Sequence, residues 1–445
     1  MNYANKVNVR MRKWYLLALF ILLIFWAMSI RESIDSVPDE RMKFDICNYI
    51  LQHGSLPNGG DETLRNPIWG ISYGFTPILA YMISACFMKV MTIFSTSIEA
   101  LYFAARLTSI LCMTGMAFVV MKISDRLFNE WRYRWTFTIS ITMLPEMVFL
   151  GSYINNDSLA LLSVAIIIYA WICGLQDGWS TKNSVMLGIG IGVCALSYYN
   201  AYGYILTSIF LYFISASRQS IFAENRTKIL KRALLITVIA FAIAGWWFIR
   251  SAIIYNGDFL GLATSNQYAQ KYAEVGYRPS DIKNPFNTGE SILHMLFVRS
   301  WIVSTAISFI ATFGLLNILL PNHLYIPYVI MILVGLVGVI DWKHSRKLSK
   351  IWNDRRNAVL LETVFAVNIL ISVVLGIYYS YANDYQPQGR YIMPLVFPLF
   401  YFLTRGFCDM IEKCKNENVR AAIYMAFGIF YLIVPVYSLR LIAPI

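Results

Sequence analysis

In the segment SVPDERMKFDICNYI, two carboxylates, Asp39 and Glu40, stand side by side shortly after the first apolar stretch. A carboxylate has an unperturbed pKa of about 4, so it is ionised at neutral pH. As a general base it takes the proton of an acceptor hydroxyl while that oxygen attacks the anomeric carbon of a sugar. Asp39 is the candidate for this role. Glu40 is a candidate to bind the acceptor or, with other acids, a divalent cation. Pro38-Asp39-Glu40 also suits the start of a helix running through Asn48, and the two readings are compatible.

Further polar residues fall in short clusters between apolar runs. They are Asn155-Asn156-Asp157 in GSYINNDSLA, Asn256-Gly257-Asp258 in YNGDFLG, and Gln388-Gly389-Arg390 in NDYQPQGRYIMPL. Each alone reads as an ordinary polar loop; together, on one side of a membrane, they favour a site. Arg106 lies within an apolar run, LYFAARLTSILCMTG. A charge at the bilayer centre costs roughly 2.5–3.5 kcal/mol, so it needs a partner, either a phosphate or Glu146. Arg250 and Arg390 stand near helix ends, where a guanidinium fork either grips a lipid phosphate in bidentate fashion or snorkels to the interface. Lys43 is a further candidate for substrate contact, whereas His53 reads as a polar loop residue.

The elements that must position these residues are apolar helices. The chain has 445 residues, 58% of them hydrophobic, and repeated apolar runs long enough to span a bilayer. The pattern predicts an all-α polytopic membrane protein with about eleven transmembrane helices. They fall near 14–30, 98–122, 135–154, 158–175, 184–199, 201–216, 234–254, 323–341, 358–380, 391–404 and 421–439. A transmembrane barrel would show short alternating segments instead. The first run lacks a cleavage site and is followed by many others, which excludes a cleaved signal peptide.

Lys6, Arg10, Arg12 and Lys13 precede the first run, and the connections containing Arg126, Arg132, Lys228, Arg232, Lys347 and Arg356 are basic. The positive-inside rule then predicts a cytoplasmic N-terminus, an external C-terminus and a cell-membrane location. It sets Asp39, Asp157, Asp258 and Arg390 all outside, beyond the supply of cytosolic nucleotides. Two external segments are long, 31–97 and 256–322. In the first, Gly74 to Phe94 is apolar but broken by Pro77 and Lys89, which predicts an interfacial helix rather than a span. The second turns apolar from Leu293 to Leu320, another candidate for interfacial or re-entrant structure. No cytoplasmic segment has room for a catalytic domain.

The net charge of +12 follows this orientation and does not call for nucleic acid as a partner. The seven cysteines are scattered, without a disulfide framework or zinc spacing. There is no P-loop, G-x-S-x-G, H-E-x-x-H or heptad pattern.

The clusters, in this order, resemble the GT-C superfamily of polytopic glycosyltransferases. PDERMKF is similar to its P-D-E-x-x-H-F element and to the D-E-x-H-F-G of protein O-mannosyltransferases. The closest likeness is to a bacterial family of multi-spanning proteins, DUF2142. That family's motifs stand here as Asp39-Glu40, Asn155 to Ala160, Trp247 to Asp258, Ser308-Phe309 with Phe313-Gly314, and Gln388 to Pro394. Lys43 replaces a usual histidine, and Ser251 and Asn256 depart from the usual wording.

The resemblance implies one GT-C-like domain over 1–445, Asp39 as catalytic base, and Arg106 on the phosphate of a polyprenyl-phosphate sugar donor. The expected reaction is an inverting transfer to a glycan, lipid or protein acceptor. The candidate set is therefore Asp39 and Glu40 for catalysis, Arg106, Arg250 and Arg390 for donor phosphate, and Lys43, Asn156, Asp157, Asp258 and Gln388 for substrate. The motifs name no definite cofactor; a divalent cation at Asp39 and Glu40 is an option. A flippase or transporter of lipid-linked glycans would show deep ionisable residues along a two-sided path and internal repeats. Here only Arg106 and Glu146 read as deep, and no repeat is visible. A glycan polymerase is a second alternative.

Overall fold

The computed structural model describes residues 3–30, 37–218 and 223–442. Residues 31–36 of the first external segment and the side chain of Lys6 lie outside the described residues. The architecture is nearly all helical, as expected. Helix α1 (Tyr3–Ser29) leads to α2 (Glu40–His53) and α3 (Leu79–Met91), then to the long α4 (Ile98–Leu127). Next come α5 (Trp131–Thr142), α6 (Pro145–Leu150), α7 (Asp157–Asp177), α8 (Thr181–Ala195), α9 (Gly203–Arg218) and α10 (Ala223–Ile254). The second external segment carries α11 (Leu262–Tyr272), α12 (Trp301–Ile310) and a small hairpin, β1 (Thr312–Phe313) with β2 (Ile318–Leu319). The chain closes with α13 (Asn322–Ile340), α14 (Trp342–Ser345), α15 (Arg355–Ala382), α16 (Val396–Glu412) and α17 (Glu417–Ile442).

Among the described residues, eight helices are long and apolar enough to cross a membrane. The other three predicted spans are real elements of shorter length. The 135–154 run is divided into α5 and α6 because Pro145 cannot continue a helix and instead sits at the first position of the next one. The 184–199 and 201–216 runs form α8 and α9, of 15 and 16 residues. Gly74 to Phe94 becomes the short α3, as the interruption at Pro77 predicts, packed on α2 and α4 through Ala80, Tyr81, Ala85 and Met88.

The two ends of the bundle differ in charge. At one end Arg12 and Arg134 both pair with Asp125, and Arg126 pairs with Asp177. At the other end lie Asp39, Asp157 and Arg390. From Asp125 to Arg106 along α4 the rise is about 28 Å, close to the ~30 Å hydrocarbon core. Arg106 hydrogen-bonds the carbonyls that end α1. It therefore stands at one margin of the apolar layer rather than its centre, and the first two turns of α4 project beyond α1.

Helices α13 and α16 meet backbone to backbone. A Cβ on Gly406 would stand 1.9 Å from the carbonyl oxygen of Gly335, and one on Gly338 would stand 2.0 Å from that of Gly406. Such small-residue contacts drive helix association where lipid removes the hydrophobic incentive. Gly406→Val should therefore cost more than about 3 kcal/mol, the upper range for overpacking. The loss is expected as a large drop in thermal unfolding temperature of the detergent-purified protein; an unchanged melt would contradict this packing.

Candidate active site

The first turn of α2 separates the acidic pair. Asp39 precedes the helix in a left-handed conformation, with φ 59° and ψ 13°, and its side chain makes no capping hydrogen bond. A non-glycine residue at positive φ is uncommon, and Asp tolerates it better than most. The carboxylate is left available, and it meets Arg390, whose Nη2 lies 3.4 Å from Asp39 Oδ2. Glu40 turns the other way and is buried, with 5% exposure.

Arg106, 3% exposed, donates through Nε and Nη2 to the two Glu40 oxygens at 2.8 and 2.7 Å. Its Nη1 donates to the carbonyls of Ala27 and Ile30. Glu40 also accepts from the backbone N–H of Ile154 at 2.9 Å. The expectation that Arg106 meets Glu146 is thus corrected: its protein partner is Glu40. Glu146 instead accepts from the N–H of Thr312. Glu40, expected to act in catalysis, is buried and spends its oxygens on Arg106 and the Ile154 N–H.

Two cavities flank Asp39 and Arg390. The first, about 330 Å3, lies between the start of α7, the α8–α9 connection and the outer end of α15. Lys43, Asn156 and Asp157 line it, with Tyr73, Tyr198, Tyr379 and Tyr391. Its α15 wall includes Leu375 and Tyr378, which are exposed on the lipid-facing side of that helix. The second cavity, about 380 Å3, opens among the external segments, with Trp69, Ser265, Leu315, Leu316 and Gln388 in its wall. Asp39, Tyr73, Tyr379, Arg390 and Tyr391 belong to both.

Arg390 is held by a contact between two distant motifs. Gly389 donates its N–H to Ser308 Oγ, and a Cβ at Gly389 would stand 2.2 Å from the Phe309 backbone, so only glycine fits. The Nε of Arg390 is buried and has no hydrogen-bond partner among the described residues. Gln388 Oε1 is likewise buried and unpartnered, while its Nε2 donates to Gln386. Lys43, 2% exposed, donates to the Pro38 carbonyl and lies over the rings of Tyr73 and Tyr153.

Electrostatics favour an ionised Asp39. Burial pushes the Asp39 carboxyl up, but Lys43, Arg390 and Tyr73 outweigh it and hold the group below the usual carboxylate range. Burial pushes the Lys43 ammonium down, against the pull of Asp39. Tyr73 is raised well above an ordinary phenol, mainly by burial, and stays a hydroxyl donor.

Two predicted residues fall elsewhere. Arg250 donates to the carbonyls of Leu56 and Pro57 and fixes the first external segment to α10, outside both cavities. Asp258 accepts from the N–H and hydroxyl of Thr264, shaping the start of α11. Asp39 and Glu40 face different arginines and so do not form a joint chelate; among the described residues no group of three His, Cys, Asp or Glu side chains is placed to hold a metal. The tyrosines at 73, 198, 379 and 391 were not singled out from sequence. Tyr391 had a signal, since it follows Gln388-Gly389-Arg390 directly; the others lie on separate elements, in a chain that is 16% aromatic.

The helical bundle, with its site between external segments and helix ends, defines a polytopic membrane protein of the GT-C fold. Over 96% of this chain it superposes on the oligosaccharyltransferase of Archaeoglobus fulgidus, in the apo form and in complex with an inhibitory peptide and a dolichol-phosphate. Each has a TM-score of 0.55 and 12% identity. ArnT from Cupriavidus metallidurans bound to undecaprenyl phosphate matches with a TM-score of 0.50 and 12% identity, over 96% of this chain and 70% of ArnT. The chain spans about half, 55%, of the oligosaccharyltransferase. No curated protein matches it. Residues 58–399 match the family described as a predicted membrane protein, DUF2142, and the chain belongs to that family.

Removing one member of a buried ion pair costs about 3–5 kcal/mol. Glu40→Gln, which strands Arg106, should therefore unfold the protein at markedly lower temperature. Asp39→Asn should change stability by less than about 1 kcal/mol, as for a partly exposed pair. Thermal melts of the two variants side by side check this division between anchor and site.

Proposed function

We propose that this protein is an inverting glycosyltransferase that moves a sugar from a polyprenyl-phosphate carrier to an acceptor hydroxyl. The whole chain, 1–445, acts as one GT-C-like unit, with external segments 31–97 and 256–322 over the site. The observation that carries this reading is the Asp39–Arg390 pair at the boundary of two cavities, one beside the lipid-facing end of α15 and one among the external segments. The first suits a sugar on a lipid anchor, and the second an acceptor arriving from water. The dolichol-phosphate and undecaprenyl phosphate of the structural neighbours support the donor class. The positive-inside rule sets the Arg12–Asp125 end in the cytoplasm, hence the site and the C-terminus outside.

In this mechanism Asp39 accepts the proton of the acceptor hydroxyl as its oxygen bonds to the anomeric carbon from the side opposite the phosphate. The bond from that carbon to the phosphate oxygen breaks, and its electron pair leaves with the phosphate. Arg390 and Lys43 stabilise the growing negative charge, which is where fixed cations in a dry site contribute most. Asn156, Asp157 and Gln388 hydrogen-bond sugar hydroxyls. The tyrosines offer ring faces and phenol donors to the sugar. The acceptor is a surface polysaccharide, a glycolipid or a protein.

The test uses purified protein with a panel of radiolabelled polyprenyl-phosphate sugars and candidate acceptors. Wild type should form product, and Asp39→Asn should be slower by about 10²–10⁴, the usual contribution of a general base. Full activity in Asp39→Asn would overturn the base assignment. Intact donor across the panel with wild type would overturn the transferase reading.

The pH dependence follows from the charges. Asp39 is held below its ordinary pKa, so wild-type turnover should stay level down to about pH 4. Lys43→Met removes the largest contribution that lowers it and leaves the burial that raises it. The acid limb of the pH–rate profile should then move to higher pH. An unmoved limb would show that Lys43 does not set the protonation of the base.

A further inference from the structure

At the basic end of the bundle, far from the site, α1, α5 and α17 leave a groove of about 570 Å3 open to the membrane side. Its walls are aromatic and apolar, with Trp14 on α1, Trp135 on α5, and Tyr424, Phe427 and Gly428 on α17. Trp14 and Trp131 are 59% and 55% exposed at its edge, the usual position of indoles at a bilayer interface. Only 22% of the apolar window of α17 is buried in the protein, so most of that helix faces outward.

Arg132 stands at the mouth. Three other arginines at this end are engaged: Arg12 and Arg134 with Asp125, Arg126 with Asp177. Arg132 donates no hydrogen bond to a described residue. Its nearest carboxylate is Glu417, 4.0 Å away and 74% exposed, and its guanidinium lies over the rings of Trp131 and Tyr424 at 5.8 and 5.9 Å. A guanidinium held by two aromatic faces beside an apolar slot keeps its N–H fork free for an anion.

We propose that this groove is a binding site for one anionic glycerophospholipid from the leaflet at the basic end. An acyl chain fills the slot between Trp14, Trp135 and Phe427, and the phosphate engages Arg132. Charge complementarity selects the anionic class: Arg10 and Lys13 are exposed on the neighbouring turn of α1, and cations at this level favour negatively charged headgroups. The lipid completes the seam between α17 and the rest of the bundle. This site does not depend on the transferase reading.

The experiment is native mass spectrometry of the delipidated full-length protein, titrated separately with phosphatidylglycerol and phosphatidylcholine of identical acyl chains. Wild type should retain one phosphatidylglycerol, with a preference over phosphatidylcholine of about fivefold for the one cation. Arg132→Gln should abolish the preference. Gly428→Leu provides a second variant, since a Cβ at Gly428 meets nothing within 4 Å; it should fill the slot and lose both lipids while the fold persists. Equal retention of the two lipids by wild type, or undiminished phosphatidylglycerol on Gly428→Leu, would overturn the proposal.

Discussion

Arg106 has five N–H donors to place where little water reaches, and Glu40 takes a bidentate pair of bonds from it. The remaining bonds go to the carbonyls that end α1. One guanidinium therefore closes the C-terminus of α1, fixes the start of α2 and joins both to α4. Glu40 extends the joint to the α6–α7 connection through the N–H of Ile154. A buried pair of this kind gains little net stability over an apolar substitute, but losing one member is costly. Its contribution is position. Four segments of chain meet at one place near the membrane margin, and the adjacent Asp39 has no freedom to sit elsewhere.

The left-handed backbone at Asp39 is the consequence. With Glu40 directed into the bundle, the preceding residue must turn sharply to enter α2, and its carboxylate points away from Glu40 toward Arg390. Strain of this sort persists only where the surroundings fix it. The two acids that look like one motif in the sequence divide the work, one holding the helices and one facing the cavities. The cations divide similarly. Arg106 and Arg250 are occupied by protein oxygens, whereas Arg390 and Lys43 face the cavities.

The other half of the site rests on a backbone contact. Gly389 lies against Phe309 and donates to Ser308, so the second external segment sets the position of Arg390. Lys43 and Arg390 then outweigh the desolvation of Asp39, and its carboxyl is held below the usual carboxylate range although burial pushes it up. Segments 31–97 and 256–322 thus both supply walls of the second cavity.

The membrane class, the helical architecture and the gathering of polar clusters at one end were legible before any packing was known, because apolar run length and charge distribution are local properties of the chain. The sequence also singled out Asp39, Lys43, Asn156, Asp157, Gln388 and Arg390, which line the cavities. It could not separate Asp39 from Glu40, nor Arg390 from Arg106 and Arg250, because an arginine's role depends on which oxygens reach it. Nor did it divide α5 from α6, which read as one span over 135–154, or identify four tyrosines in an aromatic-rich chain as neighbours. Those outcomes follow from long-range contacts: Glu40 with Arg106, Ser308 with Gly389, and Asp39 with Arg390. Residues so far apart along the chain are brought together only by packing of the whole bundle, and that packing sets which charges meet protein oxygens and which face the cavities.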